Sequence, residues 1–101
     1  MAKEVILTPI ALSDFDSVVE YLTYKWGLNV TNDFIERFDK VSLILSEDPS
    51  RFPFFDITKQ IQKCLLTKHN VLLFQEKDQV ITILTVFDTR QDPKKLRELL
   101  K

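Results

Sequence analysis

Residues 59–93 read KQIQKCLLTKHNVLLFQEKDQVITILTVFDTRQDP, and this stretch decides the fold. Its apolar residues fall into three runs, at 61–68, 70–76 and 79–87, each bounded by polar residues in the manner of strands. Lys68-His69-Asn70 and Glu76-Lys77-Asp78 leave room only for tight connections, so the three strands are expected to form an antiparallel meander. The last run, VITILTVF, is nearly all apolar or Thr, which suits a central strand covered on both faces. It ends abruptly in Asp88-Thr89-Arg90-Gln91-Asp92-Pro93. A rigid strand running into a charged loop presents polar groups at a sheet edge, where binding and catalytic residues are often placed. Beyond it, Lys94–Lys101 reads as a short basic helix or a frayed tail.

Upstream, Glu4–Thr8 is a short strand, and Thr8-Pro9 is a helix start: a hydroxyl at the N-cap, then Pro at the first helical position. Ala11, Phe15, Val18, Leu22 and Trp26 follow at helical spacing, so all five are expected in the core. Asp14, Asp16 and Glu20 lie in the early turns, where the helix dipole favours them, and Gly27 is a helix stop. Val30, Phe34, Phe38, Val41 and Leu45 make a second stripe, on a helix expected to start near Asn29 or Thr31 and to end before Asp48-Pro49. Two amphipathic helices with a short joint form an antiparallel hairpin whose stripe must be buried on one sheet face. Pro49–Phe55 is a connector in which Phe52, Phe54 and Phe55 cannot all point inward, so an exposed apolar patch is expected. The fold class is α+β, in the order β-α-α-β-β-β.

At 101 residues the chain is expected to be a single domain spanning 1–101, with 45% hydrophobic residues and eight Phe to fill its core. One glycine argues against a Gly-rich phosphate-binding loop. One cysteine, Cys64, excludes an internal disulfide, and one His with one Cys excludes a His/Cys metal cluster, so neither metal nor cofactor is expected. The N-terminus has no long apolar stretch, and no segment reaches a membrane span, so a cytoplasmic location without membrane contact is expected. The net charge of −1 hides an asymmetry: residues 1–58 carry five Lys/Arg against ten Asp/Glu, and residues 59–101 carry nine against five.

VILTPIALSDFDSVVEYL at 5–22, LSEDPSRFP at 45–53 and QIQKCLLTKHNVLLFQEKDQVITILTVFDTRQDP at 60–93 together resemble the RelE/ParE superfamily of bacterial type II toxins, in order and over essentially the whole chain. The resemblance implies a toxin held inactive by a cognate antitoxin encoded beside it, as in plasmid stabilisation systems. RelE-type members cleave messenger RNA in the ribosomal A site; ParE-type members inhibit DNA gyrase. Ribonuclease members use basic residues on the sheet and a His or Tyr near the C-terminus. Here the last strand is followed by Asp88, Thr89 and Arg90, with neither; both Tyr, 21 and 24, lie in the first helix, and the position of a common sheet Arg falls at Gln62 or Lys63.

RNA cleavage needs a base, an acid and cationic stabilisation of the transition state. If the chain is a ribonuclease, His69, Arg90, Lys63 and Lys68 are the candidate catalytic residues, His69 as the side chain type that ordinarily titrates near neutrality. Lys63 and Lys68 differ in parity, so they lie on opposite faces of their strand. If it is a protein-binding toxin, Arg90, Lys68 and Lys59 are the candidate target-binding residues. Against these stand blander readings: Arg90 in a local ion pair with Asp88 or Asp92, His69 an exposed turn residue, Lys59 an ordinary solvated charge, Cys64 a small core residue. The missing C-terminal His or Tyr favours a ParE-like inhibitor of a protein target. The alternatives are a RelE-like endoribonuclease acting on the ribosome with mRNA, and an inactive relative that only binds antitoxin.

Overall fold

The computed structural model describes residues 2–100. The chain runs β1 (Glu4–Leu7), α1 (Pro9–Trp26), α2 (Leu28–Glu47), a 3-10 turn (Pro49–Arg51), β2 (Phe54–Asp56), β3 (Ile61–Leu65), β4 (Asn70–Lys77), β5 (Val80–Asp88) and α3 (Pro93–Leu99). The strands make one sheet in the order β1-β5-β4-β3-β2. β3, β4 and β5 are the expected antiparallel meander; β1 lies parallel to β5, with Val5 opposite Ile81 and Leu7 opposite Ile83. A parallel pair requires a crossover, and the helical hairpin supplies it.

The hairpin lies on one face of the sheet. Phe34, Phe38, Val41 and Leu45 of α2 and Ala11 of α1 are buried with Cys64, Leu66, Leu72, Phe74, Ile81, Ile83 and Val86. Phe15 of α1 stacks on Phe34 and Phe38, with ring centroids 5.6 and 4.7 Å away. The other face is covered by α3, whose Leu96 packs with Ile61, Leu73 and Phe87. β5 is therefore an interior strand covered on both sides, as its unbroken apolar run requires.

A bulge in β5 organises the region next to the groove. Leu73 pairs with Thr85 and Phe74 with Ile83, which leaves Leu84 as the extra residue. Side-chain parity shifts there: Ile81 and Ile83 face the hairpin before the bulge, and Val86 faces it after. The start of α1 satisfies the polar groups the bulge frees. Thr8 Oγ1 donates to the Leu84 carbonyl (2.9 Å) while accepting the Ala11 amide (3.1 Å) as the N-cap. Asp14 Oδ2 accepts from the Val86 amide (3.1 Å) and the Thr85 hydroxyl (2.6 Å). Asp14 thus holds the bulge rather than serving the dipole in the first turn of α1, which contains no acidic residue.

The structure corrects the sequence expectations in several places. Gly27 is both the end of α1 and the N-cap of α2, which begins at Leu28, not at Asn29 or Thr31. Its φ of 92° and ψ of 177° are nearly restricted to glycine. β3 stops at Leu65, because Thr67 turns the chain with its hydroxyl instead of extending the strand to 68. The last hairpin turns at Asp78-Gln79, both left-handed at φ 52° and 69°, one residue later than Glu76-Lys77-Asp78. Trp26 is not core but 62% exposed, since the α1 stripe leaves the sheet after Leu22. The connector forms β2, an edge strand. Phe52 turns inward edge-on to Phe74 at 6.0 Å, while Phe54 and Phe55 stay exposed. Residues 93–99 form a helix, which settles the choice between helix and tail; Lys101 lies outside the described residues.

Candidate functional site

A groove of about 1170 Å³ runs between the helical hairpin and the end of the sheet where β3 turns into β4 and β5 ends. One wall is Ser17, Tyr21, Lys25 and Trp26 of α1 with Val30, Asp33 and Arg37 of α2. The opposite lip is the 65–70 turn with Asp88, Arg90 and Gln91. Both sides are fixed by hydrogen bonds. The hairpin is tied by Thr23 Oγ1 and Thr31 Oγ1 at 2.8 Å. In the turn, the Thr67 hydroxyl donates to Asn70 Oδ1 (2.8 Å) and accepts the His69 amide (3.3 Å). The Thr89 amide donates to the His69 carbonyl (2.8 Å), which locks the His69 turn to the Arg90 loop. Arg37 Nε donates to the Leu66 carbonyl (3.0 Å) across the groove floor.

Of the residues singled out in the sequence, the groove gathers Lys68, His69 and Arg90. It excludes the rest. Lys63 stands opposite Leu73, whose side chain packs under α3, so Lys63 is exposed on the other sheet face, whereas Lys68 lies in the turn beyond β3, where the alternation no longer applies. Gln62 is buried and donates to the Pro49 (2.8 Å) and Phe52 (3.0 Å) carbonyls, a structural amide that pins the connector. Neither position supplies the groove with a cation. Lys59 Nζ donates to the Leu100 carbonyl beside α3, also away from the groove. Cys64 is buried; burial pushes its thiol above the ordinary value, with the Arg37 charge opposing, so it remains a protonated core residue at neutral pH.

Arg90 takes the local reading, with Asp88 and not Asp92 as its partner. Its Nε and Nη2 donate to Asp88 Oδ1 (3.1 Å) and Oδ2 (2.8 Å), and its amide donates to Oδ1 at 2.9 Å. The side-chain bond from Arg90 holds the Asp88 carboxyl below the usual carboxylate range and keeps Arg90 protonated. Asp92 instead caps α3, accepting the Lys94 amide. Among the described residues, Lys25, Arg37 and Lys68 have no carboxylate within ion-pair distance. The same residues contain no group of three His, Cys, Asp or Glu placed to hold a metal.

Among the groove residues that the sequence reading did not offer as site residues are Tyr21, Lys25, Trp26, Asp33 and Arg37. The spacing carries only part of their signal, their place beside the apolar stripes. Tyr21/Lys25 and Asp33/Arg37 are i,i+4 pairs flanking the two apolar stripes, where a side chain overhangs the edge of the buried face. The hairpin tip exposes large apolar groups, Tyr24 at 92%, Leu28 at 67% and Trp26 at 62%, and Trp26 among them lines the groove. Lys25 Nζ stands 5.8 Å from the ring centroids of both Tyr21 and Trp26, within cation–π range. Among the described residues no helix is long and apolar enough to cross a membrane.

No family model matches the sequence, and no curated protein does. Solved structures do match. A protein of the chromosomal ParDE toxin–antitoxin system from P. aeruginosa superposes with a TM-score of 0.74 at 13% identity, covering 88% of this chain and 98% of that one. A YoeB/ParE toxin from Agrobacterium tumefaciens gives 0.58 at 9% identity, covering 84% and 97%. A copper-bound mutant toxin from Helicobacter pylori gives 0.50 at 19% identity, covering 85% and 93%. At such identities the likeness speaks for the backbone arrangement alone: this chain, with its helical hairpin on a sheet whose last strand is interior, shares the fold of these toxin structures.

Proposed function

We propose that this chain is the toxin of a type II toxin–antitoxin pair, that it stops growth by binding a protein target, with DNA gyrase the favoured one, and that a cognate antitoxin neutralises it. The carrying observation is the exposure of Tyr24, Trp26 and Leu28 around the tip of the helical hairpin, with Trp26 lining the groove. Aromatic side chains with few charges among them are the composition of a protein interface core. The solved ParDE neighbour, from a toxin–antitoxin system, supports the same reading. The antitoxin segment is amphipathic and partly acidic, packs along the hairpin and sheet, and folds on binding. Its acidic residues face Lys25, Arg37 and Lys68, so its association slows as salt rises. The test is induced expression in a bacterial host with two readouts, gyrase-dependent DNA damage and mRNA cleavage. Growth arrest with the first and without the second is expected; arrest with A-site cleavage overturns the reading.

One observation favours the second reading, a RelE-like endoribonuclease. Tyr21 and His69 share the groove with Lys68 and Arg90, so a phenol and an imidazole face the same space although the C-terminus supplies neither. If that reading holds, removing the imidazole costs about 10²–10⁴-fold in cleavage rate, and His69→Ala abolishes detectable mRNA cleavage. In the favoured reading His69→Ala leaves growth arrest unchanged.

A further inference from the structure

The fork between Asp88 and Arg90 bears on what kind of molecule the groove accepts. Arginine recognises phosphate through paired N–H donors in one plane. In Arg90, Nε and Nη2 already point at the two Asp88 oxygens. Asp88 is not free to swing away. Its backbone pairs with Asn70 at the end of the sheet, its carbonyl accepts the Gln91 amide (3.0 Å), and its carboxylate accepts the Arg90 amide. Any phosphate that displaced the carboxylate from the fork would sit beside an unneutralised negative charge fixed to the strand. The groove lining carries four cations, Lys25, Arg37, Lys68 and Arg90, against three carboxylates, Asp14, Asp33 and Asp88, and of the four cations Arg90 is the one that a carboxylate holds in an ion pair. A surface that tracks a nucleic-acid backbone needs cations left uncompensated, since its affinity comes from releasing the counterions of the phosphates it neutralises.

We propose that Asp88 determines the ligand class of the groove: by holding the fork of Arg90 it withholds that guanidinium from phosphate, and leaves the groove to a protein segment instead of a nucleic-acid strand. The inference rests on the protein-binding reading above and adds to it the residue that enforces the choice. Asp88 acts through Arg90 and is a specificity-determining residue, not a contact for the target.

The test is binding of a short fluorescent single-stranded RNA to the full chain, followed by polarisation over a salt series. Four proteins are compared: wild type, Asp88→Asn, Arg90→Ala and the double variant. The wild type is expected to bind weakly and with no loss on Arg90→Ala. Asp88→Asn should tighten binding about tenfold and steepen the slope of log affinity against log salt by about 0.7, the contribution of one further phosphate contact to a single strand. In the Arg90→Ala background the same substitution should change affinity by no more than about twofold, because the freed guanidinium is then missing. Asp88→Ser, which cannot hold the fork either, provides the reading if Asp88→Asn does not fold, and thermal unfolding of each protein checks this. Equal gains in both backgrounds would reduce the effect to bulk charge and overturn the inference. So would no gain at all, or wild-type RNA binding that is lost on Arg90→Ala. Growth arrest in cells tests the toxin reading separately, and its absence leaves these binding results to stand or fall alone.

Discussion

The two faces of the sheet are covered very unequally. On one, helices of 18 and 20 residues bury a continuous apolar layer from Ala11 to Val86. On the other, a helix of seven residues closes a small cluster around Leu73 and Phe87 through Leu96. The difference puts the main core and the groove on the same side. The hairpin face holds the main core, and because the hairpin tip projects beyond that core it also forms the groove. The α3 face is a light cover over residues that the meander would otherwise leave to water, with Lys63 and Lys59 outside or beside it.

The largest expected effect probes the heavier face. Phe74 is fully buried between the hairpin and the connector, and Phe74→Ala should cost about 3–5 kcal/mol in chemical denaturation. Next is the junction between α1 and the bulge. Asp14→Ala removes a charged acceptor from the Val86 amide and the Thr85 hydroxyl, a loss of about 1.5–3 kcal/mol, and hydrogen exchange should quicken first at Val86. On the lighter face, Leu96→Ala should cost only about 1.5 kcal/mol, the lower end for exposing a Leu, because α3 can detach instead of leaving a cavity. If it cost as much as Phe74→Ala, the contrast between the faces would be wrong.

The smallest effect is electrostatic. The folded protein holds the Asp88 carboxyl below its ordinary value through the Arg90 hydrogen bond. The ion pair therefore contributes in full above the ordinary carboxylate range and is lost as pH falls through the lower folded value. Thermal unfolding of wild type and Asp88→Asn should show a small gap at neutral pH that closes on acidification. A gap constant across the acid range would break the assignment.

Much of this architecture was legible in local patterns. Three apolar runs with short polar connections marked the meander, the period-3.6 stripes marked the hairpin, and the unbroken apolar run of 80–87 marked a strand covered on both sides. Parity placed Lys63 on the face away from the hairpin, but Lys68 reaches the groove through the turn after β3 and not through strand parity. What escaped depends on distant partners. The bulge at Leu84 leaves no trace in a strand of apolar residues and Thr, so the sequence alone offers Asp14 only the helix dipole as a partner. β2 is three residues next to prolines, below the length at which alternation can be seen. Trp26 fits the stripe of α1 perfectly in spacing, but spacing cannot report where the sheet beneath it stops. The same gap hid the groove: Tyr21, Lys25 and Arg37 become site residues only once the hairpin is laid across the sheet end.

The central claim is that function resides in the groove on the hairpin face and not on the face under α3. Lys68 and Lys63 test it directly, since they lie five residues apart in the chain, are both exposed, and belong to opposite sides. The measurement is growth arrest on induced expression at matched protein levels, comparing wild type with Lys68→Glu and Lys63→Glu, which change the net charge equally. The account predicts that Lys68→Glu relieves the arrest and Lys63→Glu leaves it intact. Arrest that survives Lys68→Glu and is lost with Lys63→Glu would contradict it.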